Sequence, residues 1–174
     1  MSDWARVTYG DPCRECGYRW SLSDEEATAI VAGLPERYAA LLAGSDGSQR
    51  HPDLSWPAGS YVSHVADNLR IWAERLAAAA LGADRPTSGY HTNDLSRARE
   101  YDSLPLQGAL WSLRRAIGDW QEAVGIADAA EVVLDHHERG RQTVSEVVRT
   151  NAHDGYHHAW DIACCVGEAT RTGK

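Results

Sequence analysis

Four stretches of apolar residues recur at helical spacing, and this periodicity restricts the fold more than any other feature of the chain. The first runs through Ala27, Ile30, Val31, Leu34, Tyr38, Leu41 and Leu42. Ser23 with Glu26 three residues on forms a capping box at its start, Pro35 predicts a kink or split, and Gly44 its end. The second, from about residue 56 to 81, carries the stripe Val62, Val65, Leu69, Trp72 and Leu76 and stops at Gly82. The third opens at Ser103 and Pro105 and holds Leu106, Leu110, Leu113, Ile117, Trp120 and Val124 up to Gly125. A second capping box, Thr143 with Glu146, opens the fourth, which reaches about Val166. No segment alternates convincingly as a strand, so the expected fold class is all-α, a four-helix bundle.

The connections refine this. Residues 44–54 are rich in Gly, Ser and Asp and read as a loop, and residues 135–142 as a polar turn. The stretch 83–102 is long for an unstructured link, which predicts a short helix near 94–100 and a crossover between the second and third long helices. Residues 1–22 lack helical periodicity and contain Gly10, Pro12 and Gly17, so they are expected to form an irregular arm. Residues 23–174 then form a single domain, long enough to bury a core without disulfides.

Charge and composition exclude some function classes. A formal net charge of −8 argues against nucleic acid, because binding a polyanion requires a basic face that releases counterions. The longest apolar run, residues 76–81, is too short for a bilayer, and residues 1–10 lack the basic start and apolar run of a signal peptide. A cytoplasmic protein with no membrane partner is therefore expected. In that reducing compartment, Cys13, Cys16, Cys164 and Cys165 suggest thiol or metal chemistry before disulfides.

The fourth helix contains His153 and His157, four residues apart, so both rings leave one face within a turn of each other and can grip one metal ion. A wet helix face also carries such pairs. A third ligand should come from a facing helix, and His64 lies on the flank of the second helix's apolar stripe. His158, about 100° away from the pair, reads as a structural or surface histidine. Gly155 between them costs about 1 kcal/mol relative to Ala, which a close approach by another helix would explain.

Residues 56–67, Trp-Pro-Ala-Gly-Ser-Tyr-Val-Ser-His-Val-Ala-Asp, and 151–162, Asn-Ala-His-Asp-Gly-Tyr-His-His-Ala-Trp-Asp-Ile, resemble the DinB-like superfamily. That superfamily includes YfiT-type and mycothiol-dependent maleylpyruvate isomerase-type proteins. The resemblance implies a bundle with a long crossover, often dimeric, holding a divalent ion on a histidine triad. Carried over residue by residue, the ligands are His64, His153 and His157. Zinc is the expected metal, with nickel or iron as alternatives. The resemblance further implies a thiol S-transferase or isomerase in which the metal activates a small thiol. Mycothiol is the thiol favoured, because the Arg- and Ala-rich composition, with Lys174 the sole lysine, has the look of a GC-rich genome. Asp67, Asp154 and Asp161 are candidates to orient an imidazole, and Tyr61, Trp72, Tyr156 and Trp160 to line a pocket.

Cys13-Arg14-Glu15-Cys16-Gly17 resembles half a zinc knuckle, and a similar arm recurs in a subset of actinobacterial DinB-like proteins. Its two missing ligands could come from Cys164 or Cys165, from His158 or His137, or from the histidine site itself. If the arm folds over His153 and His157, Cys13 and Cys16 would close that metal, making it structural. The competing function is therefore a non-catalytic zinc-stabilised bundle that binds a small molecule or a protein.

Overall fold

Local chemistry starts the helices where the spacing predicts. In the computed structural model, which describes residues 4–84 and 86–171, Ser23 caps α2 (Asp24–Ala32) and Thr143 caps α7 (Val144–Cys165). Each cap is reciprocal: the hydroxyl accepts the backbone N–H of Glu26 or Glu146, and that glutamate accepts the cap residue's own N–H. Pro35, at the first turn of α3 (Leu34–Leu41), splits the first long element at Gly33, as a residue lacking an N–H must. α4 (Ala58–Ala80) and α6 (Leu106–Ala129) are the two longest helices and lie along one another. The split α2–α3 element, α4, α6 and α7 make up the four-helix bundle. The crossover from α4 to α6 contains α5 (Thr92–Ala98) and a 3-10 turn at Tyr101–Ser103.

Three features depart from the expectations. The arm contains a short helix, α1 (Trp4–Tyr9), with no buried residue, so it has no apolar stripe to betray it. α6 runs through Gly125 to Ala129, because burial of Ala123 and Ala127 outweighs the glycine's modest helix penalty. The expected turn before α7 is a hairpin of β1 (Val133–His136) and β2 (Gly140–Thr143), whose four-residue strands are too short to display alternation. Thr87 of the crossover joins it, donating to the Asp135 carbonyl at 2.7 Å and accepting from the His137 N–H at 2.9 Å.

The core is continuous across the bundle, with Leu34, Leu69, Leu76, Leu113, Trp120 and Ile162 fully buried. Burial of each such side chain contributes about 1.5–3 kcal/mol. Trp120 satisfies its indole N–H on Asn151 Oδ1 at 2.8 Å. α7 is seated by two contacts at Gly155. A Cβ there would meet Leu34 Cδ1 at 2.3 Å, and the Tyr38 hydroxyl donates to the Gly155 carbonyl at 2.7 Å. The close approach expected from Gly155 is thus made by α3. Among the described residues no helix is long and apolar enough to cross a membrane.

Candidate metal centres

α7 carries two pairs of potential ligands at i, i+4 spacing, one residue out of step. His153 and His157 share one face, and Asp154 and His158 share a face turned by about 100°. Each pair meets a different part of the chain.

On the first face, His153 and His157 meet Cys13 and Cys16 of the arm, and one ligand atom from each of the four lies within 4.8 Å of every other. His157 Nδ1 is 4.0 Å from Cys13 Sγ, while its Nε2 looks toward Glu15 Oε2 and Asp161 Oδ2, both at 3.7 Å. His153 is enclosed by aromatic rings, with centroids 4.6 Å from Tyr9, 4.7 Å from Trp20 and 5.3 Å from Tyr18. Burial, helped by the neighbouring His157, lowers its pKa to about 4, so the imidazole is neutral at pH 7 and keeps a lone pair for a cation. Burial also pushes the Cys16 thiol up to about 12.

On the second face, Asp154 and His158 meet His64 of α4. Asp154 Oδ1 is 3.7 Å from His64 Nε2 and 3.6 Å from His158 Nε2, close to the ~3.4 Å edge of a tetrahedron built on metal–nitrogen bonds near 2.05 Å. The outer atoms of His158 and Asp154 are held in place. His158 Nδ1 lies 2.8 Å from Asp161 Oδ2, whose other oxygen accepts from Arg171 Nη1 at 2.9 Å. Asp154 Oδ2 accepts from the Asn68 amide at 2.9 Å, and Tyr90 donates to that amide's oxygen at 3.0 Å. Burial alone would lower the His158 pKa, but the Asp154 and Asp161 carboxylates raise it to about 9. Despite its own burial, Asp154 is held well below the usual carboxylate range by His158 and His64. His64 Nδ1 is buried without a hydrogen-bond partner among the described residues.

The expected triad is therefore divided: His153 and His157 sit together with Cys13 and Cys16, and His64 sits with Asp154 and His158. His158, which the sequence spacing reads as structural, and Asp154, which it offers as an orienting group, both lie outside the expected triad. The signal that could have found them is the Asp-x-x-x-His spacing, identical to His-x-x-x-His and one residue later. Of the other candidates, Asp161 does orient an imidazole, whereas Asp67 is spent on Arg70, Arg99 and the Tyr101 hydroxyl. Tyr61 and Trp56 cover the second group, with ring centroids 5.1 Å from His158 and 5.2 Å from His64. Trp72 packs on His136, Tyr156 under Arg37, and Trp160 between His157 and Arg171. Cys164 and Cys165 are buried, and neither they nor His137 join a ligand group among the described residues.

Both groups suit a divalent ion chemically. Two imidazoles and a carboxylate match a three-ligand site that retains open positions, while two thiols and two imidazoles match a closed tetrahedron. A scan against protein-family models gave no match, and neither did a search of curated proteins. Among solved structures, the chain is similar to YfiT from Bacillus subtilis, described as a probable metal-dependent hydrolase with an unusual four-helix bundle topology. The TM-score is 0.68 at 18% identity, covering 86% of this chain and 89% of that one, so the two share a fold.

Proposed function

We propose that this protein is a divalent-metal-dependent enzyme whose ion is held by His64, Asp154 and His158, and that its reaction is a thiol S-transfer or isomerisation. The observation that carries this reading is the convergence of His64 Nε2 and His158 Nε2 on Asp154 Oδ1, within 3.7 Å, from two helices. A cation bound by three protein donors keeps open positions, lowers the pKa of a coordinated thiol and presents it as a nucleophile.

The chain's own residues prepare that site. His158 Nε2 would exchange the proton that Asp154 and Asp161 favour on the free ring for the ion, Asp161 would then accept the Nδ1 proton and orient the imidazole, and Arg171 holds Asp161 in position. Asn68 occupies one oxygen of Asp154 and leaves the other for the ion, with Tyr90 fixing the amide. Trp56 and Tyr61 shield the histidines from bulk water, while Asp154 and His158 stay half-buried and give one side of access. The sequence-derived triad contributes His64 to this centre, and His153 and His157 are left to the arm.

Mycothiol is the thiol to test, by calorimetry on the metal-loaded protein and on its His158→Ala variant. Binding to the loaded protein alone supports the reading, and equal or absent binding in both removes the thiol. The second reading is hydrolysis, with water in the thiol's place. It is favoured by the description of the structural neighbour as a probable metal-dependent hydrolase. A centre that holds metal, binds no thiol and hydrolyses ester or amide substrates would select it. Absence of metal from His64, Asp154 and His158 would leave a non-catalytic zinc-stabilised bundle.

A further inference from the structure

The Cys13, Cys16, His153 and His157 group has the composition and enclosure of a site that the proposed reaction does not use. Its cysteines lie on a tight turn in which the Gly17 N–H donates to the Cys13 carbonyl at 2.9 Å and the Cys13 N–H to the Tyr18 carbonyl at 2.8 Å. Gly17 takes φ +77°, which a side chain would resist, so the turn depends on glycine just after the second cysteine. Across from the turn, His153 Nε2 is buried with no hydrogen-bond partner among the described residues. An imidazole nitrogen left so costs about 1–3 kcal/mol, a penalty that coordination removes.

The dimensions agree. Zinc–sulfur bonds near 2.3 Å and zinc–nitrogen bonds near 2.05 Å give a tetrahedron with edges of about 3.3–3.8 Å. The 4.0 Å from Cys13 Sγ to His157 Nδ1, and the 4.8 Å that bounds the whole group, need only a slight contraction to reach it. Four protein donors would by their number fill the coordination sphere without room for substrate; Cys13 and His153 are buried, and Cys16 and His157 are half-buried. Thiolates select zinc-like ions over magnesium or calcium. Glu15 and Asp161, each 3.7 Å from His157 Nε2, are placed to balance the ion's charge and orient that ring.

We propose a second metal centre, a closed Cys2His2 site for zinc on Cys13, Cys16, His153 and His157, that fastens the arm to α7 and takes no part in the chemistry. It is independent of the open site, and either could exist without the other.

Metal analysis of protein purified without chelator tests it, together with the absorption spectrum after cobalt substitution. The expected result is two metal equivalents in wild type, with a thiolate-to-cobalt charge-transfer band that survives in His158→Ala and vanishes in Cys16→Ala, each variant keeping one equivalent. A wild-type cobalt spectrum without that band overturns the proposal even if Cys16→Ala fails to fold. So does a Cys16→Ala protein with unchanged metal content, or a Cys13–Cys16 disulfide found by mass spectrometry in the native protein. One equivalent that carries the band upholds this centre and removes the open one, whereas one equivalent without it does the reverse.

Discussion

Two faces of a single helix are given opposite chemistry. One face of α7 offers imidazoles to two thiols in an aromatic enclosure, and the adjoining face offers a carboxylate and an imidazole to one histidine of α4. The spacing within each pair is the same, so spacing does not decide between a four-donor group and a three-donor one. The partner segment decides: a soft, four-donor set closes the sphere, and a harder, three-donor set leaves it incomplete.

That contrast can be broken experimentally. The largest effect is expected from replacing Cys13 and Cys16 together by Ala. With free zinc at about 1,000 times Kd, losing that ion should lower stability by about 4 kcal/mol, read as a zinc-induced rise in the denaturation midpoint that is smaller than in the wild type by that amount. Hydrogen exchange should then rise in residues 4–20 while α4 stays protected. If the arm stays equally protected, the clamp is not what holds it.

His158→Ala should weaken metal binding at the open site by more than about 100-fold, since changing an outer partner alone typically costs about 10- to 100-fold. The cobalt–thiolate signal should not change, and a parallel loss at both sites would show that the two faces are not separate. Asp161→Asn keeps the size of the side chain but weakens its acceptance from His158, so a loss of about 10- to 100-fold is expected at the open site. A smaller loss is expected at the closed one, where the same carboxylate is 3.7 Å from His157. Equal losses would make Asp161 a shared support.

The smallest effect is expected from Gly155→Ala. On an exposed helix this change gains about 1 kcal/mol, but here the new methyl group collides with Leu34, and overpacking of this kind costs about 1–3 kcal/mol. A net loss of up to about 2 kcal/mol, or a Tm lower by up to about 4–8 °C, is expected from calorimetry. A raised Tm would mean that Leu34 simply moves aside.

What could be read in the sequence was local. The capping boxes at Ser23 and Thr143, the split at Pro35 and the four apolar stripes announce themselves within a few residues, and the bundle follows from them. Helix α1 and the hairpin before α7 are held by contacts with distant segments, such as Tyr9 on His153 and Thr87 on Asp135, which periodicity does not report. The donor types of the metal centres were legible for the same local reason, and the grouping was not. An i, i+4 pair names a helix face and is silent on what that face meets. The rotational setting of α7 against α3 and α4 gives His64 to the pair one residue later.

That setting rests on Gly155. Because Leu34 fills the space where a side chain would be and Tyr38 grips the carbonyl, one bare backbone position works as an index pin for the whole helix. A donor atom lies roughly 6 Å from the helix axis, so a turn of ~10° would displace it by about 1 Å. Both sets of α7 donors would shift together, and neither could be retuned by moving the backbone without detuning the other. Any drift in this protein's metal preference would therefore have to come through side-chain exchange on the arm or on α4.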